Sequence, residues 1–222
     1  MRYFSPSLFR FLTELKAHNK KAWFEKSRER YERDVKGPML RFIDDFAKPL
    51  RSISPNFRAD SRPIGGSMFR IYRDIRFSRD KSPYKTNVGA HFPHLKGGRD
   101  AHAPGFYLHL DPGKSFGGGG LWHPDPEGLR MVRQRIVRHP AEWRRVRQRG
   151  IDIQGEALKR VPAGYDPGHP FAEDLKLKDF YTMTRFSDRD VCSPDFMNRF
   201  LAACRKASPL VAFLTKSVSL PW

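Results

Sequence analysis

MFRIYRDIRFSRDKSPYKTN, residues 68–87, decides how the chain is read. With a side-chain period of two, Phe69, Ile71, Ile75 and Phe77 fall on one face. Arg70, Tyr72, Asp74, Arg76 and Ser78 fall on the other, leaving Arg73 as a polar exception on the first. Aromatic and β-branched residues at alternate positions predict a strand over 67–78, not a helix. Its polar face then carries two guanidiniums about one carboxylate. Planar forked donors suit a carboxylate or phosphate oxygen, with Asp74 orienting one arginine. Ser78, Asp80 and Pro83 predict a tight turn, from which Lys81 and Lys85 reach back over the strand end. The competing reading is a solvated sheet face on which Asp74 and Asp80 simply pair neighbouring arginines.

Outward from this stretch, strand signals continue at 87–93, 105–111 and 178–186. Turn residues at Ser82-Pro83, Gly97-Gly98 and Asp111-Pro112-Gly113 predict antiparallel pairing. Both ends read as helical. Residues 5–18 form an amphipathic stripe of Leu8, Phe9, Leu12 and Leu15 behind Ser5-Pro6, and 20–36 continue it with Trp23, Phe24, Tyr31 and Val35. Gly37-Pro38 predicts a break before a third helix to about Leu50. A helical region over 125–149 is interrupted at His139-Pro140, a short helix is expected near 155–160, and a last helix starts at 194. The expected fold is α+β, a mainly antiparallel central sheet flanked by N-terminal and C-terminal helices, with the N-terminal helices on one sheet face. One domain over 1–222 is expected, divided into 1–52 (helical), 67–123 (sheet) and 125–222 (mixed helical).

The central motif resembles the signature of the Domain of Unknown Function 2461 family. Phe4, Asn19-Lys20-Lys21-Ala22-Trp23-Phe24, Tyr107-Leu108-His109, the glycine run ending at Trp122, Leu129-Arg130, and Pro162-Ala163-Gly164-Tyr165 with His169-Pro170 carry the resemblance along nearly the whole chain. One departure is local, in that the family's usual pair of asparagines is Asn19-Lys20. The resemblance implies a single-domain bacterial protein and brings neither activity nor catalytic residues with it.

A formal charge of +18 and a pI near 10.3 attract polyanions without specifying one. Hydrophobic residues at 39% and aromatics at 13% exclude a disordered chain. Cys192 and Cys204 form no CxxC, which favours reduced thiols. Arg10 and Glu14 break the apolar run a signal peptide needs, and no stretch has membrane-spanning length. A cytoplasmic protein without membrane contact is expected.

Phe116-Gly117-Gly118-Gly119-Gly120-Leu121-Trp122 is the second unusual stretch. A glycine run either lets a ligand or backbone approach closely, with amides free as an anion nest, or makes a flexible hairpin turn. Gly113-Lys114-Ser115 lacks the glycine at 108 that a phosphate-binding P-loop requires, since Leu108 stands there. His109 in FYLHLD, with Tyr107 and Asp111 on its face, is the main acid–base candidate, beside Asp74 and Tyr84. The alternative is a half-exposed sheet histidine. His91-x-x-His94 matches no closed zinc pattern, and neither metal nor cofactor is expected.

Three functions remain open, and whether the protein is an enzyme is open in each. The first is an anion pocket walled by Arg70, Arg76, Lys81, Lys85, Gly118, Gly119 and Trp122, binding a phosphorylated or carboxylated small molecule. The second is a nucleic-acid-binding module using the arginines at 130, 133, 135, 138, 144, 145, 147 and 149. The third is a protein–protein adaptor whose cations dock an acidic partner.

Overall fold

The computed structural model describes residues 1–97 and 103–222. Gly98 of the expected Gly97-Gly98 turn lies outside the described residues. Helix α1, Pro6–Ala17, opens on a proline whose missing N–H costs no helical bond, and buries Leu8, Phe9, Phe11, Leu12 and Leu15. Short helices α2 (Lys21–Lys26) and α3 (Arg28–Tyr31) and a π-helical turn (Glu32–Lys36) lead directly into α4, Gly37–Arg51. The break expected at Gly37-Pro38 does not occur. Pro38 stands in the first turn of α4, next to the widened π turn, and Gly37 keeps a helical φ of −56°. A side chain at Gly37 would come within 2.9 Å of the Glu32 carbonyl oxygen.

Four strands follow: β1 (Val88–Pro93), β2 (Gly105–Leu110), β3 (Ser115–Leu121) and β4 (Phe180–Phe186). They form one antiparallel sheet in the order β1-β2-β3-β4. The architecture is α+β with helices at both ends of the chain. Alternation sends Val88, Ala90 and Phe92 of β1 and Phe106, Leu108 and Leu110 of β2 into the core. There Phe46 of α4 and Phe200 of α9 (Phe196–Ser217) meet Phe92. The N-terminal helices therefore share this face with α9, the helix in most extensive contact with β3.

The glycine run is strand β3, hydrogen-bonded between β2 and β4, so neither a hairpin turn nor a free nest. A methyl at Gly117 would come within 2.7 Å of the Phe200 ring, and one at Gly119 within 2.8 Å of Val211 Cγ2. Bare backbone is what lets α9 lie close against the strand.

Helices α5 (Pro126–Arg138) and α6 (Pro140–Gln148) form a second core cluster with the far half of α9, centred on Trp143, Phe180 and Phe213. The expected helix at 155–160 is absent. That segment runs extended, bridged through Gln154 to Tyr181 and Ala157 to Leu177, and Gly155 lies so close to the Asp179 backbone that a methyl there would come within 2.2 Å of the Asp179 carbonyl oxygen. Two short helices, α7 (Ala172–Leu175) and α8 (Asp188–Val191), lie outside the sequence expectations. The latter is fixed by a Ser187–Asp190 capping box. No helix among the described residues is long and apolar enough to cross a membrane.

Residues 67–78 do not form the expected strand. Only isolated bridges remain, Met68 to Ala90 and Tyr72 to Tyr84. The two acids explain the difference. Asp74 Oδ1 accepts the Arg76 amide at 3.2 Å and Asp80 Oδ1 accepts the Ser82 amide at 2.9 Å. Such local side-chain bonds compete with a ladder and turn the chain. The segment folds back on itself, with Arg73 N–H donating to Pro83 O and Lys85 N–H to Ile71 O. Ile71 is buried, but Phe77 is left 94% exposed.

Candidate functional site

The sheet face opposite α9 carries Gly89 and His91 of β1, Gly105, Tyr107 and His109 of β2, Phe116, Gly118 and Gly120 of β3, and Tyr181 and Met183 of β4. Its side chains are half-buried and line a groove with three adjoining compartments. Phe69 lines all three, because the 67–69 segment runs along the edge of β1, where Phe69 N–H donates to Gly89 O.

The largest compartment, about 390 Å³, lies over β3 between Tyr107, Phe116, Trp122, Tyr181 and Met183. A second, about 340 Å³, lies beside Arg73, Asp74, Lys85 and Asn87. The third, about 360 Å³, is bordered by Arg58, Arg70 and the Pro63–Ser67 turn. Rings connect the cations to the sheet. Lys85 Nζ lies 5.3 Å from the Phe69 centroid, Phe69 is 5.9 Å from Tyr107, and Tyr107 Oη shares a 3.1 Å hydrogen bond with His109 Nδ1. His109 in turn stacks on Phe116 at 4.7 Å.

Glycine makes this arrangement possible. Gly89 gives Tyr107 room to lie across β1, since a methyl there would meet its hydroxyl at 2.5 Å. Burial pushes the Tyr107 phenol up to about 12 and holds the His109 imidazole below its usual value, against an opposing pull from Asp111. Burial also lowers the Lys85 pKa, and the neighbouring Arg70 charge lowers it further. Among the described residues, neither Arg70 nor Lys85 has a carboxylate within ion-pair distance.

The residues marked by sequence therefore separate. Arg70, Lys85, Gly118, Gly119, Trp122 and His109 all border the groove, as does Asp74. Arg76 does not, because it points to solvent with both its Nε and Nη2 on Asp74. Lys81 bends back onto the Ile75 carbonyl. Tyr84 is buried in the core, stacked on Phe24 at 4.1 Å. His109 reaches Tyr107 and Phe116, not Arg70 or Arg76. His94 is buried and bonded to Pro221 O, so His91-x-x-His94 does not converge. Among the described residues no three His, Cys, Asp or Glu side chains gather as a metal site; His102 and Asp100 lie outside them. Phe69 and Phe116 are groove residues the sequence reading did not mark. Their alternation was visible, but their place on the groove depends on the strand register.

A larger and more open depression, about 890 Å³, lies between α1 and α8. Its one thiol, Cys192, is raised by burial and by Asp188, which disfavours the thiolate.

A family model described as "Conserved hypothetical protein (DUF2461)" matches residues 7–213, and the chain belongs to that family. No curated protein matches it.

Proposed function

We propose that this member of the DUF2461 family binds a small phosphorylated or carboxylated molecule in the groove, with the anion held by Arg70 and Lys85. One observation carries the reading. Two mutually repelling cations adjoin the groove, neither of them ion-paired among the described residues, and one of them is half-buried; the nearby Asp74 is engaged by Arg76. Desolvating a lysine beside an arginine costs stability, and a bound anion offsets that cost. Two other cations of the motif are already neutralised, Arg73 by Asp80 and Arg76 by Asp74, and Lys81 turns back onto the Ile75 carbonyl. Calorimetric titration with inorganic pyrophosphate and with citrate tests the proposal. Saturable binding by the wild type, lost in Lys85→Met, is expected. Equal affinity in both proteins refutes it.

A second reading, a nucleic-acid surface on α5 and α6, has narrower support. Arg133 is buried on the Leu175 and Leu177 carbonyls, Arg130 pairs with Glu127 and Arg135 with Glu142. Arg138, Arg144, Arg145 and Arg149 remain without a carboxylate among the described residues. Polynucleotide binding there would fall steeply with salt, while a small partly buried ligand responds far less.

A further inference from the structure

The compartment over β3 has a shape of its own. Gly105 pairs with Gly120 across the β2–β3 ladder, and Gly118 faces Tyr107 on one side and Met183 on the other. Three adjacent positions of the open face thus carry no side chain. Backbone geometry forbids one at Gly118 and Gly120. A methyl at Gly118 would lie 2.0 Å from the Thr182 carbonyl oxygen, and one at Gly120 2.2 Å from that of Phe180. At Gly105 it would lie 2.5 Å from His91 Nε2. The result is a flat patch of backbone bordered by the rings of Tyr107, Phe116, Trp122 and Tyr181. Trp122 stands over the rim, 58% exposed.

Flat slots rimmed by aromatic rings suit planar π systems, which stack on ring faces and edges without needing a matched set of hydrogen bonds. Phe69 borders both this slot and the compartments of Lys85 and Arg70. We propose that the slot takes a heteroaromatic base, so that the ligand of the groove is a nucleoside monophosphate with its phosphate toward Arg70 and Lys85. This rests on the anion reading above and adds the ring to it. The slot's volume of about 390 Å³ accommodates one nucleoside and not a run of stacked bases. That favours a mononucleotide over a strand.

The test compares AMP, GMP, CMP and UMP with ribose 5-phosphate and pyrophosphate by calorimetry. Wild type, Lys85→Met, Phe116→Leu and Trp122→Leu are titrated, each first checked for folding by circular dichroism. At least one nucleotide should bind about tenfold or more tightly than ribose 5-phosphate, the scale of one base–aromatic stack. Phe116→Leu or the more exposed Trp122→Leu should remove that advantage and leave ribose 5-phosphate binding as it was. Lys85→Met should weaken both. If ribose 5-phosphate equals every nucleotide, the base slot is refuted and the anion reading stands. If no phosphate compound binds, the base slot falls, and the anion reading stands only if citrate binds in a Lys85-dependent way. If a single-stranded 12-mer binds far more tightly than any mononucleotide, with steep salt dependence, the occupant is a strand and the proposal is overturned.

Discussion

Asn19 grips both backbone polar groups of Tyr84. Its Nδ2 donates to the Tyr84 carbonyl at 2.9 Å, and its Oδ1 accepts the Tyr84 N–H at 3.1 Å. One side chain between α1 and α2 thus fixes the residue next to Lys85. With Phe24 stacked on the Tyr84 ring, it anchors the irregular segment that brings cations to the sheet edge.

Asn19→Ala should therefore destabilise the fold by about 1–3 kcal/mol, the cost of leaving partly buried backbone groups unpaired. Urea unfolding measures it. Pyrophosphate binding should weaken in the same variant, because Lys85 loses its fixed neighbour. Unchanged stability would remove Asn19 from this anchoring role.

Lys85→Met should weaken anion binding by roughly 1.5–3 kcal/mol, the range for a hydrogen bond to a charged group. Its melting temperature should hold or rise, since the substitution relieves both desolvation and repulsion from Arg70. Arg76→Lys should leave binding unchanged, as that side chain is solvent-exposed and spent on Asp74. Thermal unfolding and titration of both variants separate a binding lysine from a structural one.

The groove's titrating groups give pH dependences of opposite sign. The Lys85 ammonium is disfavoured in the fold, so anion affinity should fall as pH rises through its lowered pKa, below the usual lysine value of about 10.4. Its contribution to stability runs the other way, improving over that window as the unfolded chain comes to hold the extra proton. Tyr107 is raised, so its contribution is complete below about pH 10 and is lost as pH climbs through about 12. Alkaline unfolding of Tyr107→Phe should accordingly be shallower than that of the wild type. His109 is lowered, so its contribution is complete above about pH 6.5 and falls as pH drops toward the folded pKa. An NMR titration placing the His109 midpoint above 6.5 would contradict its burial.

Gly117→Ala should cost about 1–3 kcal/mol through crowding against Phe200. Phe200→Leu should recover part of that loss in the double variant, a coupling that denaturation of the four proteins measures. Gly120→Ala should be worse and without such rescue, because the obstruction is β4 backbone and φ is +151°.

How much of this was legible in the chain varied with the kind of interaction. Strands at 88–93, 105–110 and 180–186 follow from alternation, and the pause at His139-Pro140 from proline chemistry. The 67–78 strand failed although its alternation was clear, because Asp74 and Asp80 bond their own downstream amides. Within the cation cluster, the sequence could not say which members had partners. Arg76 and Lys85 look alike in one dimension, and only folding makes one solvated and paired with Asp74, the other half-buried over the Phe69 ring. The glycine run read as a ligand approach or a turn, but half its explanation lies in α9, some eighty residues away.

Strand β3 gives α9 its seat on one face and the groove its floor on the other. A single layer of backbone separates Phe200 and Val211 from the slot. Core and groove face therefore cannot be altered independently along this strand. A bulkier residue in α9 must displace the floor itself, so repacking the interior amounts to reshaping the groove.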